Sequence, residues 1–74
     1  MRYPSKDFHG MNTEEARNAF HTFISKYILD EEEAWCELIT GQGPVKDAIL
    51  EEIDDLGIEY TIIASNLGRI MIVV

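Results

Sequence analysis

A chain of 74 residues has room for one domain, residues 1–74, and one hydrophobic core. Its 46% hydrophobic and 27% charged content is ordinary for a soluble globular chain, and no run of roughly 18 apolar residues offers a membrane span. Six Lys and Arg against 14 Asp and Glu leave a net charge of −8, the wrong sign for gripping nucleic acid by phosphate neutralisation alone. The first ten residues are polar and lack the apolar stretch of a signal peptide. The lone cysteine, Cys36, has no partner for an internal disulfide and reads as a small buried hydrophobe. These features together favour a reducing, cytoplasmic setting.

In chain order, Ser5 to Phe8 reads as a short first strand. Asn12 then supplies a helix N-cap, with Glu15 three residues on to close a capping box. Ala16, Ala19, Phe20, Phe23, Ile24 and Tyr27 recur at helical spacing and form one apolar stripe. His21 falls among Arg17, Asn18, Thr22 and Ser25 on the other face and reads as a solvated surface residue. The helix is expected to end near Ile28 or Leu29, before an acidic turn from Asp30 to Glu33 that lacks the spacing of a calcium loop. Ala34 to Ile39 is a second strand. Pro44 opens a second helix, whose stripe is Val45, Ala48, Ile49, Ile53 and Leu56, and Gly57 stops it in a left-handed conformation. Ile58 to Ala64 is a β-branched third strand, Ser65 to Gly68 a turn, and Arg69 to Val74 a fourth strand.

The order is β-α-β-α-β-β. Each helix has one apolar stripe, enough to cover a sheet but not to be buried all round. The expected architecture is therefore an α/β (α+β) two-layer sandwich, with both helices on one face of a four-stranded mixed sheet. The first three strands run parallel and the fourth returns antiparallel. Strand carboxyl ends and helix amino ends then share one sheet edge. That edge carries Asp7, His9 and Gly10, the Gly41-Gln42-Gly43 loop, the Ser65–Gly68 turn, and the cations Lys6, Lys46 and Arg69. Asp30 to Glu33, Asp54 and Asp55 belong to the opposite edge.

Histidine is the side chain suited to moving protons at neutral pH. Asp7 stands two positions from His9, so on a strand the two side chains share a face, where the carboxylate would orient the imidazole and favour its charged form. Glycine at 41 and 43 lets backbone approach a phosphate, and helix amino ends offer free N–H groups to an anion. No carboxylate cluster and no His/Cys spacing suggests a metal site or another cofactor.

Taken together, Asp7-Phe8-His9-Gly10-Met11, the following Thr13-Glu14-Glu15-Ala16, the Ile39-Thr40-Gly41-Gln42-Gly43 segment and the Leu67-Gly68-Arg69 turn resemble the Smr (small MutS-related) domain family from about Lys6 to Val74. The resemblance implies a fold like the C-terminal domain of a bacterial translation initiation factor. It also implies nucleic-acid binding and, in many members, endonuclease activity: DNA nicking in some, cleavage of messages at stalled or collided ribosomes in others. By position, Asp7 and His9 match the family's D-x-H residues, and Gly41, Gln42 and Gly43 its G-x-G loop. Lys6, Thr40 and Gln42 depart from the family pattern, and the last two remove cationic groups from the loop.

A site of one histidine, one aspartate and backbone donors suits RNA, whose 2′-hydroxyl is a nucleophile already placed beside the phosphorus. The expected function is RNA binding and metal-independent RNA cleavage at the ribosome. A non-catalytic module docking on a ribosome or a basic protein is the alternative reading, and a DNA-nicking domain is a further one.

Overall fold

A computed structural model of the chain describes residues 2–29, 33–63 and 65–74. It contains β1 (Ser5–Asp7), α1 (Thr13–Ile28), β2 (Trp35–Ile39), α2 (Pro44–Leu56), β3 (Tyr60–Ile62) and β4 (Arg69–Val73), in the expected order. The strands form one mixed sheet in the order β1-β2-β4-β3. β1 and β2 are parallel, and β4 runs antiparallel to both β2 and β3. The first three strands therefore share a direction, and inserting the last strand between the second and third completes the sheet.

Local chemistry sets the helix ends. Asn12 accepts the Glu15 N–H on its side-chain oxygen (2.8 Å), and the Glu15 carboxylate accepts the Asn12 N–H (3.0 Å), a reciprocal capping box. Helix α2 begins at Pro44, which lacks an N–H that the first turn would leave unpaired. It ends at Gly57, left-handed at φ 69°, whose N–H reaches back to Asp54 and Ile53 carbonyls.

Strand alternation then decides which face is buried. Cys36 and Leu38 of β2 and Ile70 and Ile72 of β4 are fully buried beneath Ala16, Phe20 and Ile24 of α1 and Ile49 and Ile53 of α2. Phe8, one residue past β1, closes this core at the loop edge. Both helices lie on that one face, against each other. Each large apolar side chain taken out of water contributes on the order of 1.5–3 kcal/mol before chain entropy is counted. Across the helix pair, Arg17 meets Glu51 (2.7 Å) and the His21 Nε2 lies 2.6 Å from Glu52 Oε1. His21 is thus exposed, as its position on the stripe's far side requires, but it is paired to the second helix rather than merely solvated.

All four strands are shorter than expected, β4 by one residue, since it ends at Val73. β1 stops at Asp7, because Phe8 enters a turn in which the Met11 N–H donates to the Phe8 carbonyl (3.2 Å). Ladder pairing of the third strand covers only Tyr60–Ile62, the stretch facing Ile70–Ile72 of β4. Ala34 makes an isolated bridge to Arg2 rather than joining β2. Of the acidic turn, Asp30 to Glu32 lie outside the described residues, as does Ala64; Glu33 is exposed. Among the described residues, no helix is long and apolar enough to cross a membrane.

Burial pushes the Cys36 thiol above its ordinary value of 9.0, the Arg2 charge opposing it in part. As pH rises, the unfolded chain releases this proton before the folded one does. Stability from this group is therefore constant below the ordinary thiol value and declines above it. The stability of the wild type relative to Cys36→Ala, from urea unfolding, should be flat to about pH 8 and fall above pH 9. A thiol reagent should label Cys36 slowly in buffer and rapidly in urea.

Candidate functional site

The loop edge is assembled from three chain segments. Asp7 of β1 lies opposite Ile39 of β2, and Ile39 lies opposite Arg69 of β4, so one cross-strand row joins all three. The Phe8 N–H donates to the Ile39 carbonyl (2.9 Å), extending the β1–β2 contact by one bond past the ladder. The Asp7–His9 segment and the Thr40–Gly43 loop therefore leave neighbouring strands side by side. Their adjacency follows from parallel pairing of β1 with β2.

The Asp7 carboxylate accepts the backbone N–H of His9 (2.9 Å). It is the turn, not the imidazole, that this contact orients. His9 is exposed and lies beyond the strand, so strand alternation does not carry over to its side chain. Gly10 follows at φ 79°, a conformation glycine adopts without the steric cost of a Cβ, and completes the reversal into α1.

The glycine loop is anchored by a carbonyl. Gly68 C=O accepts from the N–H groups of both Thr40 (2.8 Å) and Gly41 (3.0 Å), and the Thr40 hydroxyl is 3.2 Å away. Gly68 N–H in turn donates to the Asn66 side chain (3.0 Å). Gly68 is buried against Gly41: a Cβ at 68 would lie 2.9 Å from the Gly41 Cα. The amides of Thr40 and Gly41 are consumed by this anchor. Those of Gln42 and Gly43 have no hydrogen-bond partner among the described residues. Gly43 caps α2 without a side chain, so the first helical amides, of Val45 and Lys46, add to the same donor surface.

The cations are arranged unevenly. Arg69 donates from Nη1 to Glu37 Oε2 (3.2 Å), so it lies along the sheet and must exchange this partner to meet an anion. Lys6 shares a row with Leu38 and Ile70, which face the helices, so it stands on the opposite face of β1 from Asp7. Lys46 sits in the first turn of α2. The edge thus brings together Asp7, His9, Gly10, Gly41, Gln42, Gly43 and Lys46, holds Arg69 on Glu37, and turns Lys6 away. The sequence placed the Ser65–Gly68 turn at this edge but did not announce Thr40 as a loop anchor, or Gly68 and Asn66 as the residues that hold it. Among the described residues, no three His, Cys, Asp or Glu side chains gather closely enough to hold a metal ion.

The molecule is an α+β domain with a polar loop edge built from two parallel strands and an antiparallel return. No family model, curated protein or solved structure matches the chain.

Because the atoms facing Gly68 are backbone, Gly68→Ala must move the glycine loop rather than a flexible side chain. The expected cost is about 1–3 kcal/mol in urea unfolding. Amide NMR signals of Thr40 and Gly41 should shift most, and those of β3 least. Unchanged Thr40 and Gly41 signals would contradict the anchor.

Proposed function

We propose that this domain binds RNA and cleaves it at the loop edge, as an endoribonuclease acting on messages at stalled or collided ribosomes. The observation that carries the reading is the hydrogen-bonded junction of β1 with β2, which sets the turn bearing His9 beside the glycine loop. The resemblance to Smr domains supplies the substrate class and the ribosomal setting; the geometry supplies the division of labour.

A phosphodiester seated at this edge meets the amides of Gln42 and Gly43 and the amino end of α2, donors that need no reorganisation as charge builds on the non-bridging oxygens. Lys46 adds a positive charge beside them. The RNA 2′-hydroxyl attacks the adjacent phosphorus, and the bond from phosphorus to the 5′-oxygen breaks. The His9 imidazole takes the 2′-hydroxyl proton or gives one to the leaving 5′-oxygen, water serving on the other side. The products are a 2′,3′-cyclic phosphate and a 5′-hydroxyl. Asp7 contributes by holding the His9 amide and with it the turn on which the imidazole is carried.

A second reading, a non-catalytic binding module, draws on that same contact, since the Asp7 carboxylate is committed to backbone. The two readings part on His9. Cleavage of a structured and a single-stranded RNA should fall by about 10²-fold or more in folded His9→Ala. A 2′-deoxy substitution at the cleaved position should abolish cutting there. Equal cutting by both proteins, or 5′-phosphate product ends, would contradict the catalytic reading.

A further inference from the structure

The sheet face away from the helices is not covered by any element among the described residues. Trp35, Glu37 and Ile39 of β2, Met71 and Val73 of β4 and Thr61 of β3 alternate with the buried residues and so line it. At the end remote from the glycine loop, Trp35, Glu59, Tyr60, Thr61, Met71 and Val73 enclose a cleft of ≈ 190 Å³. Trp35 is 36% exposed there, high for an indole next to a thioether and a valine. Glu59 makes no ion pair among the described residues. Beside the cleft, β3 is the sheet's last strand: it pairs with β4 on one side and, among the described residues, is unpaired on the other.

From this juxtaposition we propose that the cleft anchors one long cationic side chain, arginine or lysine, carried by an extended basic segment of a partner protein that adds to the free edge of β3. The inference is independent of the phosphodiester chemistry at the loop edge. An aromatic face, a thioether and a valine accept the aliphatic stem of such a side chain, and the indole attracts its charge. Glu59 supplies the opposite charge at the wall. Strand addition aligns main-chain groups along β3, and alternation brings every second side chain of the added strand to the open face.

Charge selects this occupant over the others. A carboxylate in the cleft of a protein with a net charge of −8 repels RNA phosphates. A second copy pairing through β3 would present residues 57–64, which contain no Lys or Arg, and would bring two Glu59 side chains into the same interface. A basic segment from another protein satisfies the cleft, the carboxylate and the edge together.

Trp35 is the sole tryptophan, so its fluorescence reports the cleft directly. The wild type would be titrated with the capped peptide Thr-Arg-Val-Arg-Val-Arg-Thr, with its citrulline counterpart, and with oligouridine. The arginine peptide should change Trp35 emission saturably, and the neutral peptide should bind about tenfold or more weakly. Glu59→Gln should weaken the arginine peptide about five- to tenfold, while Asp55→Asn, an equal charge change on α2, should weaken it less than about twofold. Equal binding of both peptides, equal effects of the two variants, or no emission change at millimolar peptide overturns the proposal. Tighter quenching by oligouridine would reassign the face to nucleic acid. Sedimentation at the titration concentration should show a monomer, and a dimer that blocks the peptide would assign the face to self-association.

Discussion

A single carbonyl organises the loop edge. Gly68 C=O takes the N–H groups of Thr40 and Gly41 at once, and the absence of a side chain at 68 lets the β4 entry turn lie against the Gly41 backbone. Two amides of the glycine loop are thereby paired inside the protein, and the next two, of Gln42 and Gly43, have no hydrogen-bond partner among the described residues. The loop's direction as it enters α2 follows from this anchor, since Gly43 caps the helix with no side chain to guide it. On the other side, the bond from the Phe8 N–H to Ile39 C=O holds the His9 turn to the same strand end. The edge is thus a backbone construction, and side chains are added to it rather than building it.

Much of the fold was legible because its signals are local. The Asn12–Glu15 box, Pro44 and Gly57 each act within one helical turn, and they mark the start of α1 and both ends of α2 as the structure has them. Right-handed crossovers allow helices on the same or opposite faces, and the small size, four strands around one core, pointed to the two-layer arrangement with both on one face. Strand limits were less legible. A β-branched run from Ile58 onward reads as one strand, but only Tyr60–Ile62, in register with Ile70–Ile72 of β4, enter the ladder, with one further bond from the Ile63 N–H to the Arg69 carbonyl (3.2 Å). Phe8 reads as the last residue of a strand by its apolar character, yet it caps the core from within a turn.

The site was legible in its parts and not in its contacts. Parallel neighbours and their shared carboxyl ends could be expected from topology, and these bring the two motifs together. Lys6 and Arg69 could not be placed from composition, because the face a strand residue takes depends on register. Register puts Lys6 in a row with core residues and sets Arg69 diagonal to Glu37 across the β2–β4 ladder. Gly68 as a packing partner of Gly41, and Asp7 as an acceptor for backbone rather than for imidazole, are likewise tertiary facts with no sequence period to announce them.

The sharpest measurement is an NMR titration with a short single-stranded RNA carrying 2′-O-methyl groups, which block self-cleavage and so report binding alone. If the edge is one site, the amides of Gln42, Gly43 and Val45 and the ring protons of His9 should shift along one binding curve with one dissociation constant. Separate curves for the glycine loop and His9, or shifts in only one of the two segments, would contradict a shared phosphodiester site at the junction of β1 and β2.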